Sequence, residues 1–239
     1  KAHAMVDLHG ARLPPRPRAS SSRIILAPCN QCLLHYHWAG SANRGITMSI
    51  TITTLARSDD AAAAGAAPVI VVLKAGAGGL GPRGRAVDER AGGALSRALA
   101  APRLRGKAGE CVDVLAPAGL EARRVMILDL GAAAALTPLA ATLAGAALAR
   151  RLEDEAEPAA TLLFDGFEGC PVSPGEVLAR LVLGMRLRNY RFQMMAREDT
   201  APGLALTVVS DALDGAALAR SAALAEGVML ARNLVNYPA

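Results

Sequence analysis

Histidine is missing from everything after His37. That removes the commonest general base, and a frequent metal ligand, from most of the chain. Aromatics make up only 3% of the 239 residues, with Trp38 the sole tryptophan, so a core has to be assembled from Leu, Val, Ile and many Ala. Lysine occurs three times, at Lys1, Lys74 and Lys107; the other basic residues are arginine, a bias that speaks of coding origin rather than mechanism. The four cysteines stand at unrelated spacings and form no disulfide framework, which points to a reducing cytoplasm as the simplest setting. The uncharged run Leu130–Ala149 has the length of a membrane span, but it is mostly Ala and Gly and contains Thr137-Pro138. Thr137 reads as an N-cap and Pro138 as the first residue of a soluble helix.

What is present suits a packed domain: 52% hydrophobic and 20% charged residues. The length accommodates one large domain or two small ones. The formal net charge of +5 sits at one end. Residues 1–47 hold six basic residues and one acid (Asp7), while residues 48–239 are balanced. A basic body for nucleic acid or an acidic membrane is therefore not indicated.

Composition breaks at residue 48. All four histidines, Trp38, Cys29 and Cys32 precede Met48, and Pro14, Pro15, Pro17 and Ser20 to Ser22 make a stretch that holds no regular element. The expectation is a native start at Met48, with 1–47 an irregular, disordered or read-through leader. Cys29 and Cys32 with His35 and His37 are zinc-ligand types, but the spacing from Cys32 is too short for a finger, and unpaired residues are the better reading. Leu26-Ala27-Pro28-Cys29 resembles a lipoprotein cleavage site, yet the apolar stretch before it is far shorter than a signal needs.

From Met48 onward strand and helix patterns alternate. Strands are expected around Ile50 and Ile52, at Val69–Leu73, at Val112 and Val114, at Val125–Leu128, at Thr161–Phe164 and at Leu204–Val209. Val87, Ala91, Leu95 and Leu99 recur at helical spacing. Leu139, Leu143, Ala147, Leu148 and Leu152 form an apolar stripe after Pro138. Ser173-Pro174-Gly175-Glu176 is a capping box opening a helix lined by Val177, Leu178, Leu181, Val182 and Met185. Asp211 or Asp214 caps a last helix with a stripe of Leu224, Val228, Ala231 and Val235. Six strands and four helices in this order predict a three-layer α/β/α domain with a mixed, mostly parallel sheet.

Candidate chemistry is sparse. Gly76-Ala77-Gly78-Gly79-Leu80-Gly81 follows a strand and precedes a helix, the setting of a phosphate cradle. No acid follows at the ribose-binding distance, and Pro82-Arg83 stand where the helix should already run, so a surface loop is the better reading. Cys111 and Cys170 lack a basic sequence neighbour that would activate a thiol. Glu153, Asp154, Glu155 and Glu157 read as a solvated face. Arg186, Arg188 and Arg191 around Tyr190 read as the exposed side of a helix end. No catalytic, cofactor-binding or metal-binding residue is assigned.

The last segment carries a resemblance. Ala225-Glu226-Gly227-Val228-Met229-Leu230-Ala231-Arg232-Asn233-Leu234-Val235-Asn236-Tyr237-Pro238-Ala239 is similar to the inter-domain helix of the leucyl aminopeptidase (cytosol aminopeptidase) family, which typically reads Ala-Arg-Asp-Leu-Val-Asn-x-Pro-Ala-Asn. Asn233 replaces the usual Asp, and Tyr237 stands where Thr is common. Gly184-Met185-Arg186-Leu187-Arg188-Asn189-Tyr190-Arg191-Phe192 resembles the family's Gly-x-x-Leu-x-x-Tyr-x-Phe, and Gly106–Glu110 resembles the turn after its first helix.

The resemblance implies a macro-like N-terminal domain over residues 48–210 and a linker helix over 211–239 leading to a catalytic domain outside these residues. It implies a parent enzyme that removes N-terminal residues such as Leu from peptides in a cytoplasmic hexamer, with two divalent metals (Mn or Zn) downstream. On that expectation the present residues hold no metal and are inactive alone. A stand-alone module binding a nucleotide or ADP-ribose near Gly76–Gly81, and a DNA-binding accessory domain, are the alternative expectations.

Overall fold

The computed structural model describes residues 33–36, 50–55, 68–76, 79–101, 107–190 and 204–236, with side chains described from residue 68 onward. Seven strands form one sheet: β1 (Leu33–Tyr36), β2 (Ile50–Leu55), β3 (Val69–Lys74), β4 (Cys111–Leu115), β5 (Arg124–Asp129), β6 (Ala159–Leu163) and β7 (Leu204–Val209). The helices are α1 (Pro82–Arg90), α2 (Ala94–Ala100), α3 (Pro138–Asp154), α4 (Pro174–Arg188) and α5 (Gly215–Asn236). Strand order is β1-β2-β7-β6-β3-β5-β4. The five inner strands run parallel; β1 and β4 close the two edges antiparallel. β1 is a seventh strand, lying where the sequence shows no period.

Alternation on β3 and β5 sends side chains to two cores. Val69, Val71, Met126 and Leu128 meet Leu148, Leu152, Leu178, Leu181 and Met185 from α3 and α4. Ile70, Val72, Val125 and Ile127 meet Val87, Ala91 and Leu95 from α1 and α2 on the opposite face. Helices thus cover both faces, the three-layer α/β/α arrangement that buried β-branched runs require.

Three helix readings need correction. The periodicity through Val87 and Leu99 suggested one helix, but Gly92 (φ +58°) and Gly93 (φ +77°) break it into α1 and α2. Buried Asp88 then caps α2, accepting from Leu95 N at 2.7 Å and Ser96 N at 3.2 Å. On α3 the buried face is Ala141, Ala144, Gly145, Leu148, Ala149 and Leu152, while Leu139 and Leu143 point outward. The cause is a backbone-to-backbone crossing with α4. A Cβ at Gly145 would lie 1.9 Å from Leu181 O, and one at Gly184 would lie 1.8 Å from Thr142 O. Small residues make that seam, so the larger leucines are turned away.

On α5 the buried residues are Ala217, Leu218, Ser221, Ala225, Met229 and Asn233, and Leu224 and Val235 are exposed. Ser221 Oγ donates to Ala179 O at 2.9 Å, and Asn233 Oδ1 accepts from Tyr190 OH at 2.8 Å. A hydrophobic stripe count misses polar residues that are buried because they find partners.

Both expected Pro-led N-termini are present. Thr137 Oγ1 accepts from Ala140 N at 3.1 Å, and Ser173 Oγ from Glu176 N at 3.3 Å. The reciprocal half of the capping box is not used, because Glu176 takes Arg180 Nε at 2.6 Å. Of the two candidate caps for α5, Asp214 serves, accepting from Ala216 N at 2.9 Å and Ala217 N at 3.0 Å.

Candidate site at the carboxyl ends of the parallel strands

In an open parallel sheet, ligands meet the crevice outside the carboxyl ends of the strands. Here those ends carry charge directly after apolar runs: Lys74 on β3, Asp129 on β5, Asp165 just beyond β6 and Asp211 just beyond β7. Lys74 and Asp129 are register partners, and their ion pair is 2.7 Å. Lys74 Nζ also donates to Gly76 O at 2.5 Å, and Asp129 Oδ1 accepts from Gly131 N at 2.8 Å. With Gly76 N donating to Gly131 O at 2.6 Å, the pair clips two loops together.

Of the glycine motif, Ala77 and Gly78 lie outside the described residues. Its end is clear: Gly81 is the N-cap of α1 and Pro82 its first residue. A Cβ at Gly81 would sit 2.4 Å from Asp165 Oδ2, so glycine is needed to admit that carboxylate. Asp165 Oδ2 accepts from Arg83 N at 2.9 Å, and Oδ1 from Arg83 Nη1 at 2.6 Å. The place a phosphate would take at this helix N-terminus holds the chain's own carboxylate. Arg83 Nη2 meets Asp211 at 2.7 Å. Burial alone would lower the Arg83 pKa, but its hydrogen bonds to the Asp211 and Asp165 carboxylates outweigh it and the net direction is upward. Beside this triad lies a cleft of about 290 Å³ lined by Pro82, Arg83, Ala86, Leu163, Asp165, Val209 and Asp211.

The other expected residues fall elsewhere. Cys111 does have basic neighbours in space, Arg124 and Arg151, which the local sequence hid. Burial dominates all the same, and with Asp113 beside it the thiol is pushed up to about 12. Cys111 and Cys170 are both free thiols. Of the four carboxylates at the end of α3, Glu153 and Asp154 are exposed as expected, but Glu155 and Glu157 are drawn into ion pairs. Arg124 pairs with Asp113, Glu155 and Glu157, Arg123 with Glu157, and Arg151 with Asp113 and Glu155. Arg188 meets Glu153 at 3.5 Å, and Arg191 lies outside the described residues. Tyr190 hydrogen-bonds Asn233 and stacks under Arg232, whose Cζ is 5.4 Å from the ring centre. Cys29, Cys32, His35 and His37 lie outside the described side chains. Among the described residues no three His, Cys, Asp or Glu side chains converge as metal ligands would, and no helix is long and apolar enough to cross a membrane.

The Arg83, Asp165 and Asp211 triad was not foreseen. The readable signal is a charged residue at or just beyond the end of β3, β5, β6 and β7; from the sequence Asp211 reads only as a cap.

Two of the three segments carrying the family resemblance, 184–192 and 225–239, touch one another through Tyr190, Asn233 and Arg232. Comparison with known proteins agrees with it. Residues 70–198 match the N-terminal domain of the cytosol aminopeptidase family. Probable cytosol aminopeptidases of Xanthobacter autotrophicus (36% identical, 72% of this chain) and Caulobacter vibrioides (32% identical, 74% of this chain) are among the similar proteins. The chain spans only 35% and 36% of their lengths. The fold is shared with a tomato leucine aminopeptidase mutant (TM-score 0.62, 17% identical, 83% of this chain and 40% of that one) and with the bottromycin maturation enzyme BotP (TM-score 0.53, 22% identical, 72% of this chain and 33% of that one). The chain therefore belongs to the cytosol aminopeptidase family, of which it carries the N-terminal domain.

Proposed function

We propose that this chain is the non-catalytic N-terminal part of a metal-dependent aminopeptidase that releases N-terminal residues such as Leu from peptides. The family match over residues 70–198 is the observation that carries the reading. Among the described residues each buried carboxylate is committed to holding the fold. Asp129 answers Lys74, Asp88 caps α2, and Glu157 meets Arg123 and Arg124. Such a set does not fit a divalent-metal centre. On this reading two divalent ions, Mn or Zn, belong to a segment following the linker helix α5, where they would activate water and hold the substrate amine. A cytoplasmic homo-hexamer is part of the same proposal.

The test is hydrolysis of leucine amide with added Mn. This chain should give no turnover and a downstream-extended protein should give it; turnover by the short chain would overturn the reading. ADP-ribose titrated calorimetrically should give a flat trace, because Asp165 already fills the α1 N-terminus. A low-salt gel shift with duplex DNA should show no retardation by residues 48–239, whose charges balance.

A further inference from the structure

We infer that the cleft beside Arg83 is a binding site for a free α-amino acid with an apolar side chain. Its rim has both signs of charge, Arg83 against Asp165 and Asp211. Its walls are apolar: Pro82, Ala86, Leu163 and Val209. Its volume of about 290 Å³ stands at the small end of ligand pockets, suited to something of amino-acid size.

The two carboxylates differ in how firmly they are held. Asp165 is nearly buried and takes both the Arg83 amide and guanidinium, so it fixes Arg83 in place. Asp211 is 68% exposed and meets Arg83 through one contact of 2.7 Å. That outer contact is the one a ligand can open. A ligand carboxylate would take Arg83 Nη2, and its ammonium, one carbon away, would take the released Asp211. One salt bridge becomes two, with no charge left unpaired. A simple anion fails, because Arg83 with two aspartates leaves the rim net negative and Asp211 would face it. A simple cation fails, because it offers Arg83 nothing in exchange for Asp211. The side chain then lies against Leu163, Val209 and Ala86. The inference stands on the cleft alone and does not need the peptidase reading.

The test is titration of the full 239-residue chain with L-leucine, followed by methyl NMR shifts of Leu163 and Val209, with acetate and leucinamide as single-charge controls. Saturable binding to one site is expected, with both controls weaker by about tenfold or more. Asp211→Asn, at an exposed position, and Ala86→Leu, which fills the cleft, should each weaken leucine by about tenfold or more. No shift at about 10 mM leucine, equal binding of leucinamide, or affinity unchanged in both variants would each overturn the inference.

Discussion

Tyr190, just past the end of α4, and Asn233 on α5 add a side-chain contact to the Ser221–Ala179 bond that already joins the two helices. Asn233 is buried and its Oδ1 receives the phenol proton. Asn233→Leu should cost about 1–3 kcal/mol in urea unfolding, since the Tyr190 phenol proton loses its acceptor. Asn233→Asp, the residue usual in the family, keeps an acceptor there and should cost under about 1 kcal/mol. The thiol of Cys111 gives a second residue-level expectation. Its folded pKa is raised from 9.0 to about 12, so the thiolate is disfavoured wherever the chain is folded. Alkylation of Cys111 at pH 8 should run at least about tenfold slower in the native protein than in urea, read by mass spectrometry of the labelled peptide. The stability this burial contributes is complete below about pH 9 and fades as pH rises toward about 12.

At the scale of elements, the α1–α2 break and the α3–α4 seam decide the arrangement. Asp88 is desolvated, which raises its pKa, but hydrogen bonds from Ser96 and Leu95 outweigh that and hold it below the ordinary value. Its contribution is therefore present above the usual carboxylate range and lost as pH falls through the lowered folded pKa. Asp88→Ala should cost about 1–2 kcal/mol near neutral pH, measured by urea unfolding, and the difference from the parent should shrink in acid. Gly184→Ala should cost about 3 kcal/mol, because the new methyl collides with the Thr142 carbonyl and the helices must part. Gly227→Ala, with open space at that point of α5, should stabilise by about 0.5–1 kcal/mol. These elements were legible to different degrees. Val69–Leu73 and Val125–Leu128 could be read directly, since a parallel strand covered on both faces has to be apolar throughout. The burial faces of α3 and α5 could not, because leucine count favours one side while an Ala/Gly seam and partnered Ser221 and Asn233 select another. Charge at strand ends was visible in the letters, but that Asp165 would cross to the α1 N-terminus depends on which strands are neighbours, and β6 lies beside β3 only through a long crossover.

For the whole molecule, the sheet divides labour between its centre and its ends. Parallel inner strands set the crevice at their carboxyl ends, and antiparallel β1 and β4 finish the sheet. The edge at β4 is dressed with ions: Asp113 on the strand is shared by Arg124 and Arg151. This charge discourages a further strand from adding there. Asp113→Val would strip that guard and should raise the self-association of the chain, seen as a concentration-dependent mass in sedimentation.

The meeting of Gly145 with the Leu181 carbonyl, and of Gly184 with the Thr142 carbonyl, has a historical corollary. Two positions far apart in the chain guard one spacing, so neither can drift to a larger residue while the other stays put. Descendants of this sequence can redecorate the outer surface of either helix, yet any lineage that loses one glycine must re-seat the whole layer.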